Sequence, residues 1–195
     1  MPSKTTMSQT TAIATSLPPS LIADLRTDHA GESGAVMIYR GILAISRDPG
    51  LRQFAEHHLA TESDHLAQIE ALLERGQRSM LLPLWRIAGW LTGALPALVG
   101  PRAVYATIEA VETFVDHHYA EQITSIEQLD PRRQQAALQS LSALLQGCRR
   151  DEIAHRDEAA LLFAQGGQSP SRALRLWVGL VGAGSRGAVK ICWWV

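Results

Sequence analysis

Two short motifs pair a carboxylate with an imidazole at a spacing that suits metal binding. Glu62-Ser63-Asp64-His65 and Glu152-Ile153-Ala154-His155 are both E-x-x-H. On a helix, residues three apart share a face, so the Glu and His of each motif can reach one ion. Eleven Glu and seven His predict roughly 0.4 such pairs by chance, so two favour a site without deciding it. What accompanies them carries more weight. Glu32 precedes Glu62 by 30 residues and Glu112 precedes Glu152 by 40, so each half of the chain supplies one lone Glu and one E-x-x-H. A single such motif is ordinarily a solvated surface pair. Six groups repeating from half to half reverse that expectation. Ala30-Gly31 before Glu32 and Ala110-Val111 before Glu112 are small or apolar, and a carboxylate among such neighbours is costly unless a cation compensates it. Oxygen and nitrogen donors without thiolate suit iron or manganese better than structural zinc.

Neighbouring residues extend the pattern. Asp151 either accepts the free N–H of His65 from across the fold, fixing its tautomer, or is an exposed helix charge beside Arg149 and Arg150. His29 is a second candidate partner for the ligands, whereas His57, His58 and His117 read as solvated or interfacial. Cys148, four residues before Glu152, reads as packing near the site and is given no chemistry.

Helices must position these groups. From Leu21 to Gly167 the chain is dominated by Ala, Leu, Glu, Gln and Arg, with no alternating polar stretch. Asp48-Pro49-Gly50 separates a helix predicted near 20–47 from one near 51–75. Pro101 suits the first turn of a third, near 101–128, and Asp130-Pro131 opens a fourth, near 131–165, stopping at Gly166-Gly167. Short links within each pair and a longer one, 76–100, between the pairs predict a four-helix bundle. Four carboxylates and two imidazoles facing inward is the arrangement of ferritin-like di-iron or di-manganese bundles. The expected fold is therefore all-α, a ferritin-like antiparallel four-helix bundle with two additional amphipathic, interfacial helices. Gly31, Gly34 and Gly41 weaken an isolated helix and point to close helix approach or a local bend.

Composition narrows the class. Apolar residues make up 46% and charged residues 19%, which excludes a disordered chain. A formal charge of −1 demotes nucleic-acid binding. Two cysteines without a CxxC support no disulfide scaffold and fit a reducing compartment. Residues 1–19 read as a disordered lead to a single domain over 20–195, and the lack of Arg before Arg26 argues against a transit peptide. All five tryptophans fall in the two most apolar segments, Met80–Gly100 and Leu174–Val195. Arg86, Arg175, Arg186 and Lys190 interrupt these segments, which suits interfacial helices better than spanning ones. A helix pair packed on the bundle, or a dimer contact, is the alternative.

Longer motifs now connect these readings. Asp28-His29-Ala30-Gly31-Glu32-Ser33-Gly34-Ala35 with Tyr39-Arg40-Gly41 comes first, then Leu82-Pro83-Leu84-Trp85-Arg86-Ile87-Ala88-Gly89-Trp90. Ala110-Val111-Glu112 with His117-His118-Tyr119-Ala120-Glu121-Gln122-Ile123 follows, and Arg150-Asp151-Glu152-Ile153-Ala154-His155 completes the order. Together they resemble the demethoxyubiquinone hydroxylases over about residues 21–190. The resemblance implies a membrane-associated di-iron monooxygenase that hydroxylates a demethoxyubiquinone-type intermediate with dioxygen in ubiquinone biosynthesis. It implies a pair of iron ions held by Glu32, Glu62, His65, Glu112, Glu152 and His155, the set given by spacing. His118-Tyr119 resembles the family's pair near the substrate pocket, where Tyr119 either meets the quinone ring or caps the core with its hydroxyl in water.

The implied partners are a long-chain quinone substrate, a membrane surface, a lipid-binding accessory protein of the same pathway and a homo-oligomer, with no nucleic acid. NADH is the implied electron donor, used without a Rossmann fold because the chain has no G-x-G-x-x-G. The implied location is the cytoplasmic face of a bacterial inner membrane, or else the matrix side of the mitochondrial one. Ser33, Arg78-Ser79-Met80 and the ending Cys192-Trp193-Trp194-Val195 depart from the family's pattern, and none is a proposed ligand. A ferritin-type iron oxidase or storage subunit and a non-enzymatic membrane adaptor are the competing functions.

Overall fold

The computed structural model describes residues 17–167 and 169–195, so most of the expected lead segment, residues 1–16, lies outside the described residues. Six α-helices follow in order: α1 (Pro19–Ile45), α2 (Pro49–Glu70), α3 (Leu82–Val99), α4 (Pro101–Leu129), α5 (Ala136–Gln165) and α6 (Arg172–Cys192). There is no strand among the described residues. Proline opens α1, α2 and α4 within the first turn, where its missing N–H costs nothing. Ser46 turns to an extended conformation and ends α1, and Asp48 then caps α2 by accepting from Leu51 N at 2.7 Å. Replacing Asp48 by Ala is expected to cost about 1 kcal/mol, read as a lower urea midpoint at unchanged slope. Gly100 alone joins α3 to α4. Its φ of 130° is open only to glycine, which makes a one-residue corner possible.

Two helix boundaries differ from the sequence expectation. The second helix ends at Glu70 rather than near 75, where the chain passes into a 3-10 turn at Arg75–Gln77. Ending there lets the adjacent Leu72 and Leu73 both enter the core. The fourth bundle helix begins at Ala136 rather than 131. Asp130 accepts from Gln134 N and Gln135 N, and Arg133 sits at φ 50°, so Asp130-Pro131 builds a capped turn instead of a helix start.

The core shows how the helices run. In one apolar layer the start of α1 (Leu21, Leu25) meets the end of α2 (Ile69), the end of α4 (Ile123, Ile126) and the start of α5 (Leu138, Leu141). In the other, the end of α1 (Tyr39, Ile42) meets the start of α2 (Leu51, Phe54), the start of α4 (Val104, Ile108) and Ala159 late in α5. Both α1/α2 and α4/α5 are thus antiparallel, and the space between the two layers is the bundle's midsection.

The two extra helices pack on this bundle. α3 lies on α1 backbone to backbone: a Cβ at Gly89 would overlap Gly34, one at Gly93 the Ile38 carbonyl, and one at Gly41 the Trp90 carbonyl. A Cβ at Gly34 would fit, at 3.9 Å from the Trp85 carbonyl oxygen, whereas Gly41 serves the close approach. Gly31 does not, since an added Cβ there meets nothing within 4 Å. α6 is pinned by its indoles, with Trp177 Nε1 donating to Thr107 Oγ1 at 2.9 Å and Trp193 Nε1 to Asp24 Oδ1 at 3.0 Å. Those two tryptophans thus bond the bundle, as the packed alternative expects, while Trp194 stays exposed. The outer faces are nonetheless apolar and exposed: Leu84, Ile87, Leu91, Leu95 and Leu98 on α3, with Leu176, Leu180 and Ile191 on α6. By length and composition α3 is the one described helix able to cross a membrane, but its glycine face is spent on α1.

Candidate metal centre

The midsection between the apolar layers holds the six groups singled out by spacing. Glu32 comes from α1, Glu62 and His65 from α2, Glu112 from α4, and Glu152 and His155 from α5. Each is 4% exposed or less. Their ligand atoms form two groups, Glu32–Glu62–His65–Glu152 and Glu62–Glu112–Glu152–His155, each within 4.8 Å. Glu62 and Glu152 belong to both. His65 Nδ1 lies 3.0 Å from Glu152 Oε1 and 3.9 Å from Glu32 Oε2, while His155 Nδ1 lies 3.0 Å from Glu62 Oε1 and 3.5 Å from Glu152 Oε2.

Four carboxylates in so dry a space disturb one another. Burial, and then the charge of Glu152, hold Glu62 and Glu112 well above the ordinary carboxylate range. The same two causes bring Glu32 to about 7. Glu152 goes the other way. Burial opposes its charge, but the close His155 imidazole and the hydrogen bond with His65 pull it down to about 2. Burial likewise opposes the His65 cation, which Glu152 and Glu32 restore, raising it to about 9. Two imidazoles thus compensate one carboxylate well and leave three pushed towards protonation. A pair of divalent cations would balance all four with the imidazoles neutral.

Unmet polar atoms test whether cations fit. Glu32 Oε2, Glu62 Oε1, Glu152 Oε2 and His155 Nδ1 are buried without a hydrogen-bond partner. His155 Nδ1 and Glu62 Oε1 are close in space but not aligned for a hydrogen bond. Buried polar atoms are ordinarily paired. Unpaired donors converging from three helices are what an oxygen- and nitrogen-seeking metal such as iron would satisfy. The residues fit the group.

The surrounding shell was partly foreseen. Asp151 Oδ2 lies 3.1 Å from His65 Nε2, the cross-bundle bond that spacing allowed. Tyr119 is 1% exposed and donates its hydroxyl to Glu32 Oε1, so that hydroxyl is not in water. His118 sits beside it, its Nε2 3.1 Å from Asp28 Oδ1. Burial opposes the His118 cation, and the Asp28 hydrogen bond and charge more than restore it.

Two histidines were misread. His58 is buried, with Nε2 3.0 Å from Glu158 Oε2, and its ring meets His155 edge-on at 4.0 Å. Burial, His155 and His57 together lower it to about 3. It lies four residues before Glu62 on the same helical stripe, a signal the sequence contained. His29 contacts Glu70 at 3.8 Å rather than any of the six groups. His57 and His117 are exposed as expected, and Cys148 is buried in the apolar layer below the site. Tyr39, read only as part of a longer motif and given no role, donates to Glu112 Oε1 at 3.3 Å.

A cavity of about 370 Å³ leads to the centre. Its floor includes Glu32, Glu62, Glu112 and Glu152, its wall His118 and Tyr119, and its cover Trp85 of α3 and Trp177 of α6. Apart from these its lining is mostly apolar. An apolar ring therefore has room beside the carboxylates, under two helices whose outer faces are greasy.

Known proteins agree with this picture. The model of the family described as ubiquinone biosynthesis protein COQ7 matches residues 20–192. A 3-demethoxyubiquinol 3-hydroxylase from Rhodospirillum rubrum is 35% identical over 181 residues, covering 89% of this chain and 78% of that one. The human NADPH-dependent 3-demethoxyubiquinone 3-hydroxylase, mitochondrial, is 34% identical over 135 residues, covering 68% of this chain and 60% of its own. The 5-demethoxyubiquinone hydroxylase, mitochondrial, of Saccharomyces cerevisiae is 35% identical over 146 residues, covering 69% and 63% respectively. The chain thus spans less than two thirds of the human and yeast relatives. With the family match running from the first helix to the last, this chain belongs to the COQ7 ubiquinone-biosynthesis family.

Proposed function

We propose that this chain is an oxygen-dependent monooxygenase that hydroxylates a demethoxyubiquinone-type ring in ubiquinone biosynthesis. The observation that carries the reading is the pair of Glu/His groups sharing Glu62 and Glu152 at the end of an apolar cavity. Glu32, Glu62, His65 and Glu152 would hold one iron ion, and Glu62, Glu112, Glu152 and His155 the other. When bound, such a pair supplies the activation of dioxygen. The overall reaction balances as one oxygen atom inserted into a ring C–H bond and the other leaving as water, with two electrons from a reductant and two protons. That reductant is a reduced nicotinamide, NADH in our reading, where the human relative's name specifies NADPH.

The chain's own residues position and protect. Apolar walls from α1, α3, α4 and α6 exclude water and admit the quinone ring. Tyr119 and His118 line the ring's place, with Tyr119 also holding one oxygen of Glu32. Asp151 fixes the orientation of His65. The exposed faces of α3 and α6 rest on one membrane leaflet, so an isoprenoid tail stays in lipid while the head enters beneath them. The bacterial and mitochondrial origins of the relatives match the two membranes in which such a tail would lie.

The test uses purified protein loaded with ferrous iron, vesicles carrying a demethoxyquinone, a reduced nicotinamide and ¹⁸O-labelled dioxygen. Mass spectrometry is expected to show one labelled oxygen in a hydroxylated product. Product carrying oxygen from water, or iron oxidised and stored with the quinone untouched, would overturn the reading.

A further inference from the structure

The two lone glutamates are held in exchange. Tyr119 of α4 donates to Glu32 of α1, and Tyr39 of α1 donates to Glu112 of α4. Each tyrosine lies seven residues after the lone glutamate of its own helix, two turns along one face. Each phenol reaches past that neighbour to the glutamate opposite. The repeat that supplies the ligands therefore also supplies their hydrogen-bond donors. Both phenols are 1% exposed. In Glu32 the bond takes Oε1 and leaves Oε2 unpartnered, 3.9 Å from His65 Nδ1.

We propose that Tyr39 is a positioning residue for Glu112, commits one of its oxygens and leaves the other for a metal ion, as Tyr119 does for Glu32. This rests on the metal-centre reading above. A buried carboxylate with both oxygens free can chelate, bridge or swing; a phenol on one oxygen restricts it to binding through the other. Tyr39 is the more informative member. It is not among the residues lining the cavity, whereas Tyr119 is, so a change at Tyr39 acts on the ligand without touching the substrate's place. Its ring packs on the Phe54–His58 pair, 6.4 Å from Phe54 and 5.6 Å from His58, and those contacts survive replacement by Phe.

Tyr105 provides the control. It lies in the same apolar layer, edge-on to Phe54 at 5.2 Å, and bonds none of the six groups. Cobalt(II), with visible bands that report coordination, is the probe for titrating metal-free wild type and the Tyr39→Phe, Tyr119→Phe and Tyr105→Phe variants. Tyr39→Phe is expected to weaken one of two cobalt ions by about 10- to 100-fold while the other holds within about twofold. Tyr119→Phe weakens the other ion, and Tyr105→Phe neither. In the iron-loaded enzyme Tyr39→Phe lowers kcat and leaves KM unchanged. Cobalt affinities in Tyr39→Phe matching wild type, or an equal loss in Tyr105→Phe, overturn the proposal. Wild type failing to bind a pair of cobalt ions would instead strike the metal-centre reading, before any variant is compared.

Discussion

Replacing Glu152 by Ala is expected to abolish both metal sites at once, with each ion bound more than about 100-fold more weakly. The bound follows from comparison with residues further out, whose loss already costs 10- to 100-fold in affinity. Glu152 belongs to both groups and contacts both imidazoles, at 3.0 Å for His65 and 3.5 Å for His155. Glu32 and Glu112 each belong to one group only. Their replacement by Ala is expected to remove one ion and spare the other. Equilibrium dialysis followed by elemental analysis separates the cases, with circular dichroism confirming that the helices persist. Hydroxylation should vanish in all three variants if a pair of ions is required. Retention of both ions in Glu152→Ala refutes the ligand assignment.

The second large effect concerns stability. Gly93→Ala is expected to destabilise the fold by about 3 kcal/mol, at the upper end for overpacking, because the clash is with backbone. The new Cβ would overlap the Ile38 carbonyl oxygen and lie 2.7 Å from its carbon. Neither helix can yield by rotating a side chain. α3 must lift from α1, which also carries Glu32, so the cavity wall shifts with it. Gly31→Ala is the matched contrast. It sits in the facing helix α1 with nothing near the added carbon, and is expected to be neutral or to gain up to about 1 kcal/mol from helix propensity. Urea unfolding of the two variants decides the matter. Equal midpoints would show that the glycine seam does not hold α3 in place.

The six converging groups were legible because a shared helical face is written locally in the sequence. A Glu and a His three apart must share a face, and a lone Glu before each pair needed only rough helix lengths to be placed beside it. Asp151 was legible for the same reason. Tyr39 and His58 obeyed the same periodicity, at seven residues after Glu32 and four before Glu62, yet went unread. A tyrosine or histidine on a helix declares no partner until the opposite helix is in place. The α1–α3 seam was harder still. Gly89 and Gly93 stand four apart, a visible spacing, but which helix they meet depends on how the long connection folds back. The start of α5 turned on a single carboxylate, Asp130, capping two amides and so overriding the usual reading of Asp-Pro. The indole N–H groups of Trp177 and Trp193 found Thr107 and Asp24, bundle partners that composition does not name.

Diffraction from crystals of the iron-loaded protein, recorded on both sides of the iron absorption edge, bears most directly on the centre. The expected map has two anomalous peaks in the bundle's midsection, one beside Glu32 and His65, the other beside Glu112 and His155, with Glu62 and Glu152 between them. A midsection without anomalous density in protein that has taken up iron, or iron found only at surface carboxylates, would contradict it.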